Sequence, residues 1–282
     1  MRSVYKLVVV LVFSAVYFTS CQPEVGFDDP AGGGNGGGGN GGGNNNGACN
    51  NTVMNLKSIQ STFDRQVIEA TWNADGTISS IKMSVQLSGD YTAKYIYESG
   101  RIKEAVLYNN SDNSIVDTAV FRYNTEGKVD SMYRKHYNQT ISLGYTNGKL
   151  SRYTGYSFGF LDFYWTITTD ANDNIVKAEN YWKNGATYDN ESTYTYTRDA
   201  RKNPFAGLAP YMMFLDDDYV IFRYWGANNY IDQRYQDRTG SGIDMTTGNK
   251  YIYNSNCYPL SSQTTIYGQV VFTDPDFVYT YY

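Results

Sequence analysis

The chain is 282 residues long and carries 23 Lys and Arg against 28 Asp and Glu, a formal charge of −5, with 29 tyrosines, 27 glycines and one histidine. Eleven of the glycines fall between Gly32 and Gly47, and the 235 residues beyond position 47 hold 27 of the tyrosines but only nine leucines, a usage that suits pleated sheet and excludes a mostly helical fold. An acidic chain with no basic run lacks the phosphate-neutralising footprint of a nucleic-acid binder. The lone His136 excludes His-pair zinc sites and two-His iron sites.

Arg2 and Lys6 precede an apolar run over residues 7–18 that ends in Phe18-Thr19-Ser20-Cys21, the basic, apolar and small-residue order of an export signal. The run is shorter than the roughly 20 residues of a bilayer-spanning helix. Cysteine after two small polar residues resembles the lipobox of bacterial lipoproteins, although Phe18 stands where that box usually has leucine. The resemblance implies that residues 1–20 are removed and that Cys21 is diacylated and becomes the N-terminus; an ordinary signal peptide cut near Ser20 is the alternative. Two acyl chains anchor stably where one does not. Residues 22–29 carry Glu24, Asp28 and Asp29. They resemble the acidic signals that send Bacteroidota lipoproteins to the outer face of the outer membrane, or form a solvated spacer. Residues 31–47 are Gly and Asn apart from Ala31 and cannot bury enough apolar surface to order themselves. Residues 21–47 therefore read as anchor and flexible leash, and residues 48–282 as a single β domain.

With Cys21 lipidated, Cys49 and Cys257 remain as an even pair in an oxidising compartment. A disulfide between them is the economical reading, and two buried thiols the alternative. Neither has a histidine near it in sequence, so neither reads as a catalytic nucleophile.

From Val67 onward a hairpin pattern repeats. It appears as Trp72-Asn73-Ala74-Asp75-Gly76-Thr77-Ile78, Tyr97-Glu98-Ser99-Gly100-Arg101-Ile102, Tyr123-Asn124-Thr125-Glu126-Gly127-Lys128-Val129 and Tyr145-Thr146-Asn147-Gly148-Lys149-Leu150. A turn closed by a residue in the left-handed region, with a bulge as the next strand leaves, needs Gly or Asn at that place. A fifth copy spans residues 170–175, with Asn174 in the glycine place. Between turns, Ala93, Tyr95 and Tyr97 alternate with Thr92, Lys94 and Glu98; Ile141, Leu143 and Tyr145 alternate with Thr140 and Ser142; and Tyr194 and Tyr196 alternate with Thr193, Thr195 and Thr197. One face is apolar and the other polar. The expected fold is all-β: an antiparallel up-and-down meander of roughly 12 to 16 strands curled into a barrel or half-barrel. After Pro204, residues 205–215 read as a short helix or loop covering one end of the sheet, and strand-like alternation returns toward the C-terminus.

The Tyr-x-x-x-Gly-Lys/Arg-aliphatic unit is similar to the YD repeat of Rhs-type shell proteins, with Glu98, Asn124 and Thr146 in place of the aspartate. A closer likeness is to a family of Bacteroidota lipoproteins of unknown function. Its members have a lipobox, a tether, the same hairpins, an Asn-Pro-Phe segment like Asn203-Pro204-Phe205 and a late Tyr-Pro like Tyr258-Pro259. The resemblance implies a porin-like antiparallel barrel or half-barrel and no established activity.

Candidate sites are few. Residues 170–174 resemble the start of a calcium loop but lack its glycine and twelfth-position glutamate, so a hairpin turn is the default. Asp216, Asp217 and Asp218 could hold calcium or form a solvated acidic loop. Thr118 and Ser131 each follow an aspartate and precede Ala119 and Met132, which resembles the O-glycosylation sequon of Bacteroidota. Tyr224, Trp225 and Tyr230 are the candidates for stacking on a sugar, although cross-strand pairing accounts for most tyrosines without a ligand. The expectation is a non-catalytic, monomeric lipoprotein without cofactor, held to the outer membrane by its N-terminal lipid. It would bind a glycan or another envelope protein, or act structurally, and would not bind nucleic acid. An integral porin-like barrel and a carbohydrate-binding or glycan-processing accessory protein are the alternatives.

Overall fold

In a computed structural model of the chain, residues 49–50, 52–61, 67–85, 89–213, 215, 220–270 and 276–282 are described. The export signal, the Cys21 lipidation site, the leash and the acidic triplet Asp216, Asp217 and Asp218 lie outside the described residues. The compact unit runs from Gly47 to Tyr282.

Its strands are β1 (Leu56–Ser61), β2 (Val67–Trp72), β3 (Ile78–Val85), β4 (Gly89–Glu98), β5 (Arg101–Asn109), β6 (Ile115–Tyr123), β7 (Val129–Arg134), β8 (Gln139–Thr146) and β9 (Lys149–Ser157). They continue with β10 (Phe160–Thr169), β11 (Ile175–Asn184), β12 (Thr187–Lys202), β13 (Asn228–Asp237), β14 (Asp244–Tyr253), β15 (Pro259–Ile266), β16 (Gln269–Val270) and β17 (Phe277–Tyr281). Each strand from β1 to β15 pairs antiparallel with the next. The wall closes because β17 pairs with β15 at Ser261↔Val278 and with β1 from Leu56↔Tyr281 to Ser61↔Phe277. Two-residue β16 pairs with β15 alone, so 16 strands form the barrel and the seventeenth stands outside it. The expected meander is present and fully closed, its 16 barrel strands matching the upper estimate, with one further strand outside.

All five repeat copies end in the predicted bulge. The register slips where Trp72, Tyr97, Tyr123, Tyr145 and Thr169 meet Ile78, Ile102, Val129, Leu150 and Ile175. Gly76, Gly100, Gly127 and Gly148 hold positive φ, as the turns require. In the fifth copy the left-handed residue is Asp173, at φ 61, and not Asn174. The Asp173 amide bonds the Asp170 carbonyl, as the Gly127 amide bonds that of Asn124. Asn174 thus stands one place beyond the glycine position and turns inward, fully buried.

The apolar face lines the lumen. Ala93, Tyr95, Ala105, Ala119, Ile141, Leu143, Tyr153, Trp165 and Tyr194 belong to one buried cluster, whereas Lys94, Lys103 and Arg152 between them are exposed. Small and large side chains alternate around the wall: Ile81 pairs with Ala93 and Ala93 with Leu107, and the Phe163 ring fills the space over Gly155, where a Cβ would approach to 2.3 Å. Wall side chains alone do not fill the interior of a 16-stranded barrel, which in porins leaves an aqueous channel. Here a plug fills it. The described parts of the connection from β12 to β13, residues 203–213, 215 and 220–227, include the single-turn helices α1 (Ala209–Met212) and α2 (Val220–Arg223). Phe205, Met212, Met213 and Phe222 are buried. The segment touches strands on several sides: Tyr95 Oη donates to the Tyr211 carbonyl at 3.1 Å, the Phe121 and Tyr211 rings lie 5.6 Å apart, and Phe222 packs edge-on against Tyr153 and Trp165 at 5.6 and 5.1 Å. The stretch expected to cover one end of the sheet instead enters the lumen, because the apolar inner face of so wide a barrel needs an apolar filling.

Candidate functional site

The even-to-odd turns, both ends of the described unit and the entry of the plug share one end of the barrel, the floor. There the repeat shows its purpose. The Tyr97 phenol donates to the Ile78 carbonyl at 2.7 Å, Tyr123 to Ile102 at 2.6 Å and Tyr145 to Val129 at 2.8 Å; Trp72 Nε1 begins the series on the Leu56 carbonyl at 2.7 Å. Each tyrosine of one copy therefore donates to the carbonyl of the aliphatic residue in the copy before it. The basic residue after the glycine completes the unit: Arg101 lies over the Tyr123 ring at 5.4 Å and Lys128 over Tyr145 at 5.4 Å.

Thr169 stands in the aromatic place of the fifth copy, and Arg198 takes it in the station after that. Its Nε and Nη2 donate to the Ile175 carbonyl at 3.2 and 2.9 Å, Nη2 also to Phe222 at 2.9 Å, and Nη1 to Arg223 at 2.6 Å and Asn228 at 3.3 Å. A half-buried guanidinium thus caps the last carbonyls of α2, groups that a helix end leaves unpaired. Burial lowers its pKa, but an arginine so placed stays charged. Beside it, Asn174 donates to Asp170 and Asn228 and accepts the Asn228 amide at 2.8 Å. Gly226, at φ 109, lets the returning chain pass close against Asn174: an added Cβ would lie 2.4 Å from the Asn174 Cα and Oδ1, so no side chain fits. Asn203 Nδ2 holds the Tyr224 and Gly226 carbonyls at 2.7 and 2.9 Å. Both ends of the plug are thereby fastened to the floor.

The sequence-predicted residues fall as follows. Cys49 and Cys257 form a disulfide with Cα atoms 5.4 Å apart, next to the start of the plug, since the Lys202 amide bonds the Cys257 carbonyl. Trp225 is buried, and Tyr224 and Tyr230 are half-buried on the core. Tyr224 packs on Phe205 at 4.3 Å, and Arg223 lies over both tyrosine rings at 5.9 and 5.7 Å. The three aromatics belong to the plug and its seat and present no open platform. Thr118 and Ser131 are half-buried on β6 and β7, while Asp117 beside Thr118 is buried and accepts Arg134 Nε at 2.9 Å and the His136 amide at 3.0 Å. The Asp170 carboxylate accepts the Asn172 and Asn174 amides and the Asn174 side chain. Burial raises its pKa, but those hydrogen bonds outweigh it and the net direction is down. Its oxygens close a turn. Among the described residues no group of three His, Cys, Asp or Glu side chains could hold a metal.

Burial pushes the phenols of Tyr95, Tyr123, Tyr145, Tyr251, Tyr253, Tyr279 and Tyr281 well above their usual value near 10. A folded-state pKa above the unfolded one gives stability that is complete below pH 10 and lost as pH rises through and beyond it. Alkaline titration is therefore expected to show a cooperative step of tyrosinate absorbance coincident with loss of the β-sheet circular dichroism. Gradual ionisation of these phenols in an intact sheet would contradict the burial.

No family model matches the chain, and no curated protein sequence matches it. Solved structures do. A porin-like protein from Bacteroides uniformis superposes with a TM-score of 0.50 at 14% identity, over 80% of this chain and 98% of that one. A porin-like protein from Bacteroides vulgatus follows at 0.35 and 12%, over 82% and 99%. The first likeness shows the fold: a closed antiparallel β-barrel of the porin-like kind.

Proposed function

We propose that this barrel stands in water, tethered to the outer membrane through a lipid on Cys21 and the Gly/Asn leash, and that it works without catalysis as a binding or structural component of the envelope. The observation that carries the reading is the polarity of the wall. Lys82, Lys94, Glu104, Arg122, Arg152, Lys177, Glu179 and Arg234 alternate with the core residues of their strands and so point outward, amid Ser80, Thr92, Thr140, Ser142, Thr166 and Thr195. A lipid-inserted barrel has the reverse arrangement, and an Arg or Lys at the bilayer midplane costs it about 2–4 kcal/mol. The filled apolar lumen offers no aqueous conduit either. A protein lacking residues 1–46 is expected to be a soluble monomer without detergent; a product that folds only in detergent would sink the reading in favour of an integral barrel. Mass spectrometry of membrane-extracted protein should find a diacylglyceryl group on Cys21, and an unmodified mature N-terminus would remove the anchor.

A further inference from the structure

Outside the barrel, on the wall of β12, β13 and β14, lies a groove of about 480 Å³ lined by Thr195, Thr197, Asp232, Arg234, Thr246 and the Tyr267-Gly268 turn. The depression is shallow and open to solvent rather than enclosed. The base is a regular patch of sheet, with Thr197 paired to Asp232 and Thr195 to Arg234, which also pairs with Thr246. One side is the turn between β15 and β16, the strand that takes no part in closing the barrel.

Three features distinguish this patch from ordinary solvated wall. First, Tyr267 sits at φ 50 before Gly268 at φ 77 in a two-residue hairpin. Both places need positive φ, and bulky residues are poorly suited to the first; Ser99, Asn147 and Phe158 fill it in three other hairpins, and what sets Tyr267 apart is that its phenol is anchored beside the groove. Tyr267 nevertheless holds it and stays 66% exposed, its phenol tied to the Asp244 carbonyl at 2.7 Å, so a strained turn keeps an aromatic ring at the groove edge. Second, Arg234 is oriented before any ligand arrives: Asp244 takes Nε at 2.8 Å and Nη2 at 2.5 Å, and Gln236 holds the same carboxylate at 3.2 Å. Third, Asp232 has room because position 248 opposite is glycine; a Cβ there would lie 2.7 Å from Asp232 Oδ1 and 2.0 Å from the Ile231 carbonyl. Among the described residues nothing bonds the Asp232 carboxylate or the hydroxyls of Thr195, Thr197 and Thr246.

A planar acceptor, a fixed planar donor, three hydroxyls and one aromatic ring make a surface complementary to a ligand with vicinal hydroxyls and a C–H face. Arg234 is neutralised by Asp244, which leaves Asp232 as the uncompensated charge and disfavours anions. The lining includes no Val, Leu, Ile or Met side chain, which disfavours an acyl chain. We propose that the groove binds a pyranose unit of a neutral glycan, with the sugar face against Tyr267 and its diols bridging Asp232 and Arg234. This rests on the wall facing water, and the test separates the two ideas.

The protein lacking residues 1–46 keeps every described strand pairing, the disulfide and the plug. It is run without detergent in native gels containing neutral polysaccharides (mannan, galactomannan, xyloglucan, a mixed-linkage glucan) or heparin. Retardation by at least one neutral polysaccharide and none by heparin is expected, with affinity falling tenfold or more in Asp232→Ala and Tyr267→Asn. Asparagine suits the left-handed turn, so Tyr267→Asn should melt no lower than the parent, and its loss of binding cannot be laid to unfolding. Retardation by no neutral polysaccharide, by heparin alone, or equally by both variants overturns the glycan site while a soluble monomer leaves the tethered reading standing. Insolubility without detergent overturns both.

Discussion

Replacing Arg198 with methionine is expected to lower the melting temperature by roughly 6–20 °C and to loosen the plug before the wall opens. Methionine keeps the apolar stem but removes all five N–H donations to the carbonyls of Ile175, Phe222, Arg223 and Asn228. Carbonyls left in the lumen without donors cost about 1–3 kcal/mol each before relaxation, so a total of about 3–5 kcal/mol is expected. Lysine should recover less than half of it, because one ammonium cannot replace a planar fork spanning β11, α2 and the start of β13. Hydrogen exchange should accelerate first over residues 203–227, with red-shifted tryptophan emission as Trp225 leaves its buried seat. Exchange that accelerates uniformly around the wall, or a melting temperature within about 2 °C of the parent, would mean that Arg198 does not hold the plug.

Removing the disulfide by the double change Cys49→Ser and Cys257→Ser is expected to cost about 3–5 kcal/mol, with a comparable fall in melting temperature. The bond closes a loop with a sequence separation of 208 residues, nearly the whole barrel. In the chain-entropy account most of its effect lies in restricting the unfolded chain. The native spectrum should therefore be unchanged while the melt moves. Reductant added to folded protein should act slowly, since Cys257 is only 3% exposed. Equal stability of the double variant and the parent would show that the closing pair β1–β17 needs no help from the bond.

Much of the fold was legible because its signals are local. Gly76, Gly100, Gly127 and Gly148 mark left-handed turn positions, and period-two alternation around Ala93, Ile141 and Tyr194 named the buried face. The fifth copy misled by one place, because Asp173 and Asn174 both tolerate the left-handed region and composition alone could not choose between them. Residues 205–215 carry no clean period, so their apolar side chains read as a short helix or a cover; that they fill a lumen follows only from a 16-strand circumference. Tyr224, Trp225 and Tyr230 looked available beside an acidic loop, and the plug turned them inward. The outer groove escaped notice because Tyr267-Gly268 has the same form as Phe158-Gly159 in another hairpin, and nothing in the sequence sets the two apart.

By itself the sequence determined an all-β chain, the hairpin register over most of its length, the apolar face and the cysteine pair, since these depend on turn chemistry and alternation within a few residues. The tertiary structure decided that β17 meets β1, that the apolar face points inward and is filled by the described parts of residues 203–227, and that Arg198 stands in a tyrosine's station. It also decided that Asp232, Arg234 and Tyr267 share one groove. Those outcomes depend on accumulated twist and strand number, which set the distance between residues up to two hundred positions apart and leave no trace in any short window of the chain.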